Sequence, residues 1–306
     1  MLPLVIYHCL GEEMPSTRTI RRRIRSVKNT AQTTKAMELV AASRMRKAQQ
    51  NVVAARPFSK KVLEIIADLA ALQQNEDYRT ISPLLQQRPI EHVGLVLVTA
   101  DRGLAGSLNT NVIRRAVRFL NEETGGKPVR LVTVGRKGRD FMVRVGREIV
   151  AEFTGIVDKP TLLDTLPISK VIIDDYVNGK YDAVYLLYSN FINTVTVRPE
   201  LIKLLPIDPP EGEDTQNFNN IDFIFEPDPT AVLQSLLPRY VEVEIYQAIL
   251  ENFASFYSSQ MVAMRNASDK AKELVGDLTL TYNKVRQGNI TREILEIASG
   301  AVMSGG

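Results

Sequence analysis

Tryptophan is absent from the 306 residues, cysteine occurs once and histidine twice. Each shortage removes a class of chemistry. A lone Cys9 permits no disulfide within the chain and suits a reducing compartment. His8 and His92 cannot build a His/Cys metal cage, and neither stands in a triad-type motif with Ser, Cys or a carboxylate. Charge of one sign is also lacking: 38 Lys and Arg face 35 Asp and Glu, a net +3. Whole-molecule electrostatics therefore give no reason to expect a polyanionic partner. Long apolar runs are missing as well. Residues 2–10 are apolar but too few to span a bilayer, with neither a basic leader nor a small-residue cleavage site. Residues 1–13 are expected to be a disordered leader wrongly joined to the chain, with Met14 the working start, which leaves His8 and Cys9 without a role. Any membrane association then runs through partners. Length and ordinary composition together predict a globular protein of about two domains.

What the sequence does have is two very long helical patterns at its ends. In residues 16–72 the positions Ile20, Ile24, Val27, Ala31, Thr34, Glu38, Ala41, Met45, Ala48, Val52, Ala55, Ser59, Val62, Ile66 and Leu69 alternate steps of four and three. Such a 3.5-residue recurrence keeps one stripe on a partner only when two helices supercoil. Ser16 or Thr17 can cap the start, and Pro57 is expected to kink the helix without ending it. The partner lies at the other end, opened by Asp228, Pro229 and Thr230. Its seam is expected at Ile249, Phe253, Phe256, Gln260, Ala263 and Ala267, then, after a stutter, at Ala271, Leu274, Leu278, Thr281, Val285 and Gly288. At 1.5 Å per residue each run makes a rod of roughly 70–100 Å. The alternative is two separate buried helices, but the Ala, Ser and Thr in the seam are small for a deep core.

Between the helices the rhythm changes to short apolar runs at residues 93–99, 129–134, 148–153 and 182–188, bounded by Gly, Asp and Pro. Continuous runs of that length are strands covered on both faces. Helical intervals at 111–123, 136–145 and 166–178 alternate with them. A further strand at 194–204 belongs at an edge, because Pro199 cannot donate within a central ladder. The fold class is therefore α/β: a long antiparallel coiled coil of N- and C-terminal helices with an inserted Rossmann-like domain and a largely parallel sheet. The expected division is 14–75, 76–228 and 229–306. Residues 73–75 begin a polar linker, 206–228 form an acidic loop, and the patch 223–225 can add one strand.

Chemistry-bearing motifs are few. Residues 98–111 (VTADRGLAGSLNTN) have the order strand, glycine loop, helix that cradles phosphate. However, Gly103 and Gly106 make only a GxxG and no Lys follows, so a tight turn at a sheet edge competes with a nucleotide site. Asp174 and Asp175 read as a solvated helix face. No metal, cofactor or catalytic residue is assigned. Arg18, Arg21, Arg22, Arg23, Arg25 and Lys28 crowd the first turns of the opening helix, with Arg44, Arg46 and Lys47 further on. Either they solvate a coiled coil or they dock an acidic partner, protein or nucleic acid. No aromatics interleave with them, which argues against a single-strand stacking platform. A nucleic-acid-binding coiled-coil arm and a Rossmann-type enzyme are the rival functions on these residues alone.

Residues 20–49 (IRRRIRSVKNTAQTTKAMELVAASRMRKAQ) and 261–301 (MVAMRNASDKAKELVGDLTLTYNKVRQGNITREILEIASGA) closely resemble the terminal helices of the ATP synthase gamma subunit family. Residues 99–109 (TADRGLAGSLN) resemble that family's loop after its first strand. The resemblance covers residues 14–301 in order. It implies a central-stalk rotor without a catalytic site or cofactor of its own, in a proton-translocating complex. The implied partners are three alpha and three beta subunits, the epsilon subunit and the c-ring. Contact with the membrane would be through the c-ring only, on the cytoplasmic face of the cell membrane, with no nucleic acid involved. By motif, Lys35 and Met37 in TKAM and Arg286, Gln287 and Thr291 in YNKVRQGNIT fall where the family's shaft meets beta, and Arg21, Arg22 and Arg25 would face acidic beta loops. Tyr282 and Asn283 share the motif and can serve as packing residues. Ala105 stands where many members have Cys, and Gly288 is expected to soften the shaft at a cost of up to about 1 kcal/mol. The cysteine-bearing redox insert of the chloroplast form has no counterpart in 206–228.

Overall fold

In the computed structural model, which describes residues 16–72, 81–208, 226 and 228–304, the apolar run Val93–Val98 forms strand β1 with every residue buried. Its alternate side chains explain the unbroken hydrophobicity. Leu95 and Leu97 join Leu131, Val112, Ala116, Phe119 and Met142 on one face, while Val96 and Val98 join Val132, Val134, Ile168, Ile172 and Leu186 on the other. Both faces being covered is the condition for a parallel strand. The order continues α2 (Leu108–Arg118, running into a wider turn at Phe119–Glu123), β2 (Val129–Val134), α3 (Arg136–Arg144), β3 (Ile149–Phe153), α4 (Leu162–Val177), β4 (Ala183–Phe191) and β5 (Val197–Leu205). The sheet order is β3-β2-β1-β4-β5. Strands β1 to β4 pair in parallel, with Val93 opposite both Val129 and Ala183, and β5 closes one edge antiparallel to β4. Pro199 sits on that edge strand, opposite Ser189.

Four details differ from expectation. The glycine loop leaves β1, which is flanked by β2 and β4, so it serves the sheet centre and not an edge. Helix α4 begins at Leu162, four residues before the predicted start, because the Asp164 carboxylate accepts the Thr161 N–H at 2.7 Å and fixes an earlier first turn; Pro167 is then carried inside. Asp175 is 7% exposed: it accepts from Lys180 Nζ at 2.7 Å and from Tyr181 Oη at 3.3 Å, and only Asp174 lies on the solvated face. The seam of the last helix is the fourth, described below. The leader at 1–13, the linker from 73, the patch 223–225 and most of the acidic loop lie outside the described residues.

The terminal helices are α1 (Thr17–Leu72), which continues through Pro57, and α5 (Pro229–Ser304), which continues through Pro238. Ser16 Oγ accepts from the Thr19 amide at 3.3 Å and Asp228 Oδ1 from the Ala231 amide at 2.9 Å, so each start is capped by an oxygen side chain. Contacts divide the chain into two units, Leu39–Ala263 and Met1–Glu38 with Met264–Gly306.

Within Leu39–Ala263 the two helices run antiparallel. Arg44 donates to Tyr257 Oη at 3.4 Å, Arg56 to Glu251 Oε1 at 3.2 Å, and Ser59 Oγ to Glu244. Met45, Ala48 and Val52 of α1 pack with Leu250, Ala254 and Tyr257 of α5 and with Ala100, Ala105 and Leu108 from the glycine loop. Further along, Val62, Ile66 and Leu69 meet Leu233, Leu237, Val241 and Ile245 in the core under the sheet. Burial of several such side chains, each worth about 1.5–3 kcal/mol, is what seats both helices.

Candidate interaction surface

The residues singled out for partner contact, Arg21, Arg22, Arg25, Lys35, Met37, Arg286, Gln287 and Thr291, all belong to the other unit. There the helices are again antiparallel: Arg21 reaches Tyr282, the Ala31 carbonyl accepts from Ser268 Oγ at 3.3 Å, and Glu38 meets Arg265. Every expected seam position of α1, from Ile20 on, is buried or half-buried. On α5 the less exposed residues from Met264 to Val285 are Met264, Ala267, Ser268, Ala271, Val275, Leu278, Tyr282 and Val285; a four-three alternation runs through Ser268, with the expected Ala267 half-buried beside it. The row through Ser268 needs no stutter, and of the positions expected after it Leu274 and Thr281 point outward. Hydropathy misplaced the seam because it undervalues Ser268, small enough for close approach, and Tyr282, whose ring is apolar while its hydroxyl lies at the boundary.

Seam filling fixes what faces outward. Arg21 donates to Tyr282 Oη at 2.9 Å, with its guanidinium 5.6 Å from the ring centroid, so this arginine is engaged across the pair. Arg22 and Arg25, one and four residues on, are exposed. Glu38 is only 4% exposed, which for a carboxylate requires partners. Lys35 Nζ supplies one hydrogen bond at 2.9 Å and Arg265 Nε another at 3.1 Å, and together they hold the Glu38 carboxyl below its ordinary range. Met37 is half-buried beside it. Arg286, Gln287 and Thr291 lie on an exposed face of α5, with Thr291 Oγ1 returned to the Gln287 carbonyl at 3.0 Å; Asn283 is exposed too.

Two features went unread in the sequence. A groove of about 500 Å³ has Ala31 and Val275 in its floor and Lys28, Lys35 and Lys272 around it, with Gln32. Its signal, three lysines converging from two distant helices, depends on the pairing register. The second is a stripe on the last turns of α5: Ile290, Ile294 and Ile297 recur at i, i+4 and i+7 and are 46%, 59% and 73% exposed. That spacing places them on one helix face.

The glycine loop does different work. Gly135, at φ 94°, begins α3 so close to the end of β1 that a Cβ there would stand 2.1 Å from the Thr99 carbonyl oxygen. The first amides of α3 are consumed by that approach: Arg136 N–H donates to Asp101 Oδ1 at 2.9 Å, Lys137 N–H to the Ala100 carbonyl at 3.2 Å and Gly138 N–H to Thr99 Oγ1 at 2.8 Å. The start of α3 is thus occupied by β1 and its loop and offers no free first-turn amides to an anion. Among the described residues, no group of three or more His, Cys, Asp or Glu gathers, and no helix is long and apolar enough to cross a membrane.

Comparison with known proteins agrees with this arrangement. A family model described as ATP synthase matches residues 16–302. The ATP synthase gamma chain of Roseiflexus sp. (strain RS-1) is 53% identical over 290 residues, covering 94% of this chain and 98% of that relative. The gamma chain of Dehalococcoides mccartyi (strain CBDB1) is 49% identical over 288 residues, 94% of this chain and 99% of that one. In fold, the chain is similar to a component of the Euglena gracilis mitochondrial ATP synthase OSCP/F1/c-ring structure in rotational state 3, with TM-score 0.63, 19% identity, and 94% and 93% coverage. It is also similar to one in the central stalk/c-ring of the Tetrahymena thermophila mitochondrial enzyme, with TM-score 0.58, 25% identity, and 77% and 99% coverage. With a family model spanning nearly all of it and relatives at half identity over their full lengths, the chain belongs to the ATP synthase gamma chain family.

Proposed function

We propose that this chain is the central-stalk rotor of an F-type ATP synthase. It has no catalytic site of its own; it couples rotation of the c-ring, driven by protons, to conformational change at the catalytic sites of the beta subunits. Its partners are three alpha and three beta subunits, the epsilon subunit and the c-ring. It is a peripheral part of a membrane-bound complex, and we place it on the cytoplasmic face. Residues 14–75 and 229–306 serve as the shaft and 76–228 as the inserted domain.

The observation that carries the reading is the lysine-rimmed groove formed jointly by α1 and α5. A helix pair whose seam is filled by its own residues still presents Lys28 beside an apolar floor, with Lys35 and Lys272 at its edge paired to Glu38 and Asp269, and that surface is complementary to an acidic loop with an apolar anchor. On this reading Lys35 and Met37 on one helix and Arg286, Gln287 and Thr291 on the other also serve as contact residues, with Arg22 and Arg25 outward and Arg21 partly committed to Tyr282. Because α1 and α5 differ in sequence, each orientation of the shaft offers a different surface to each beta subunit. A tenfold change in nucleotide affinity requires about 1.4 kcal/mol of differential contact energy, within reach of a few such contacts.

The test is a reversible crosslink. In a Cys9→Ser background, Met37→Cys or Gln287→Cys paired with a cysteine in the facing beta loop should stop ATP turnover on oxidation and restore it on reduction. Continued turnover by the crosslinked complex would end the proposal. So would purification without alpha and beta chains, together with steeply salt-dependent binding to bare DNA, which is the signature of a nucleic-acid arm.

A further inference from the structure

Within Leu39–Ala263, helix α1 crosses a cluster of acids at the turn where its own backbone is weakest. Pro57 has no N–H, so the helical bond that the Val53 carbonyl would accept is missing from that turn. The residues on either side of the break are both tied to α5. Arg56 donates from Nε and Nη2 to Glu251 Oε1, each at 3.2 Å, and from Nη2 to the Phe191 carbonyl at 3.0 Å, while Ser59 Oγ donates to Glu244. Beyond the break, Val62, Ile66 and Leu69 rest on Leu233, Leu237, Val241 and Ile245. The stretch from Ser59 to Leu69 is thus an arm with a hinge at its root, held down by an apolar face and by side chains that reach acids.

Those acids are not equally provided for. Glu251, 4% exposed, takes Arg56, the Gln247 amide at 2.7 Å and the Phe191 N–H at 3.4 Å. Glu200 of β5, opposite Tyr188 of β4 in the ladder, takes the Asn190 amide. Glu244 takes the Ser59 hydroxyl and has Tyr240 of its own helix near it. Among the described residues neither Glu200 nor Glu244 has an ion pair, and the buried Tyr188 stands near all three carboxylates and Arg56. A largely buried carboxylate without a cation, beside like charges, is relieved in one of two ways: it takes a proton, or it reaches water.

We propose that the arm of α1 beyond Pro57 is a proton-dependent clamp, in which a proton on Glu244 holds the arm down on α5 and its release lets the arm open at Pro57. Burial first, then Glu251 and Glu200, push the Glu244 carboxyl above its ordinary 4.5, against the Ser59 hydrogen bond. Closing therefore takes up a proton. The clamp is complete below about pH 4.5 and weakens as pH rises through the raised value. It needs no partner and no rotation, so it stands apart from the rotor function.

Hydrogen exchange on the full chain between pH 5 and 8 tests it, with the intrinsic pH dependence of amide exchange divided out. The opening constant of α1 amides 59–66 should rise at least about threefold over that range. Amides 42–50 of the same helix, seated through Met45 and Ala48 against Leu250 and Ala254, should not follow. Glu244→Gln, which keeps the shape and an acceptor for Ser59 but carries no charge, should remove the rise, and Glu200→Gln should reduce it. The proposal is overturned if amides 59–66 do not move, if both segments rise together, which is a loss of global stability alone, or if the rise survives Glu244→Gln. The comparison of the two segments in the wild-type chain decides even where a variant does not fold.

Discussion

Replacing Ile290, Ile294 and Ile297 together by Ser separates what α5 does for its own chain from what it does for a partner. The three side chains are 46%, 59% and 73% exposed, so the isolated protein gains little from them. Ile and Ser have similar helix propensities, and exposed substitutions rarely move stability by more than about 0.5 kcal/mol. The melting temperature of the free chain should therefore barely change. In a complex that encloses the end of α5, the remaining surface of each isoleucine is available for burial. At about 1.5–3 kcal/mol for a fully buried side chain, roughly half to three-quarters of that is 1–2 kcal/mol each, or about 3–5 kcal/mol for the stripe. Association realises only part of such a sum, so a loss of at least about 1.4 kcal/mol, or tenfold, in affinity for the alpha/beta assembly is the expected result. Titration of the variant into the assembly reads the affinity, and ATP-driven proton pumping in vesicles reads the coupling. Wild-type assembly and wild-type pumping together would refute the reasoning, because an apolar stripe that docks nothing has no cause to matter.

The other predictions concern the chain's own energetics. A double-mutant cycle on Arg21→Ala and Tyr282→Leu, read by urea unfolding, should give a coupling of about 0.5–1 kcal/mol, as for an exposed cation over a ring; zero coupling would return Arg21 wholly to the outward surface. Gly135→Ala should cost about 3 kcal/mol or more, since its Cβ would stand 2.1 Å from the Thr99 carbonyl oxygen. By contrast, Gly288→Ala, with nothing within 4 Å, should gain about 0.5–1 kcal/mol; thermal melts in the reverse order would contradict both assignments. Glu244, largely buried with Glu251 and Glu200 nearby, has its carboxyl pushed above the ordinary 4.5 by burial first and by those like charges next, against the hydrogen bond from Ser59. Its stabilising contribution is thus complete below about pH 4.5 and is lost as pH rises through the raised value. Glu244→Gln should accordingly raise the melting temperature at pH 8 and flatten its fall between pH 5 and 8, and a lower melting temperature at pH 8 would reject the argument.

What was legible in the sequence follows from how many directions an element must face. Strand β1 is covered on both sides, so Val93, Leu95, Val96, Leu97 and Val98 had to be apolar without interruption. Helix α1 touches a partner along one stripe, so its burial keeps the period that hydropathy can detect. Helix α5 defeats the same test between Val241 and Ser258, because α1, the sheet and the loops cover it on most sides and nearly every residue is buried or half-buried. A seam projected from Ile249 and Phe253 then starts on the wrong row. The true row runs through Ser268 and Tyr282, chosen for size and reach and not for hydrophobicity. Asp175 was misjudged for a related reason: its neutralising Lys180 comes from the turn after the helix, so helix periodicity alone could not bring them together.

The partner surface presents the opposite problem. Residues such as Arg22, Gln287 and Thr291 are exposed and, among the described residues, satisfy nothing beyond their own turn, so no property of the isolated chain distinguishes them from solvent-facing neighbours. Only the resemblance named them. The surface feature that can be argued physically is the one for which solvent exposure is unfavourable, the isoleucine stripe. Glu38 shows how the chain treats a polar group it does mean to keep, supplying it with Lys35 and Arg265. Thr133, Ser189, Gln247 and Asn252 each keep a buried side-chain oxygen without such a partner among the described residues, so an unpaired oxygen by itself does not mark a contact site, whereas an exposed apolar stripe does.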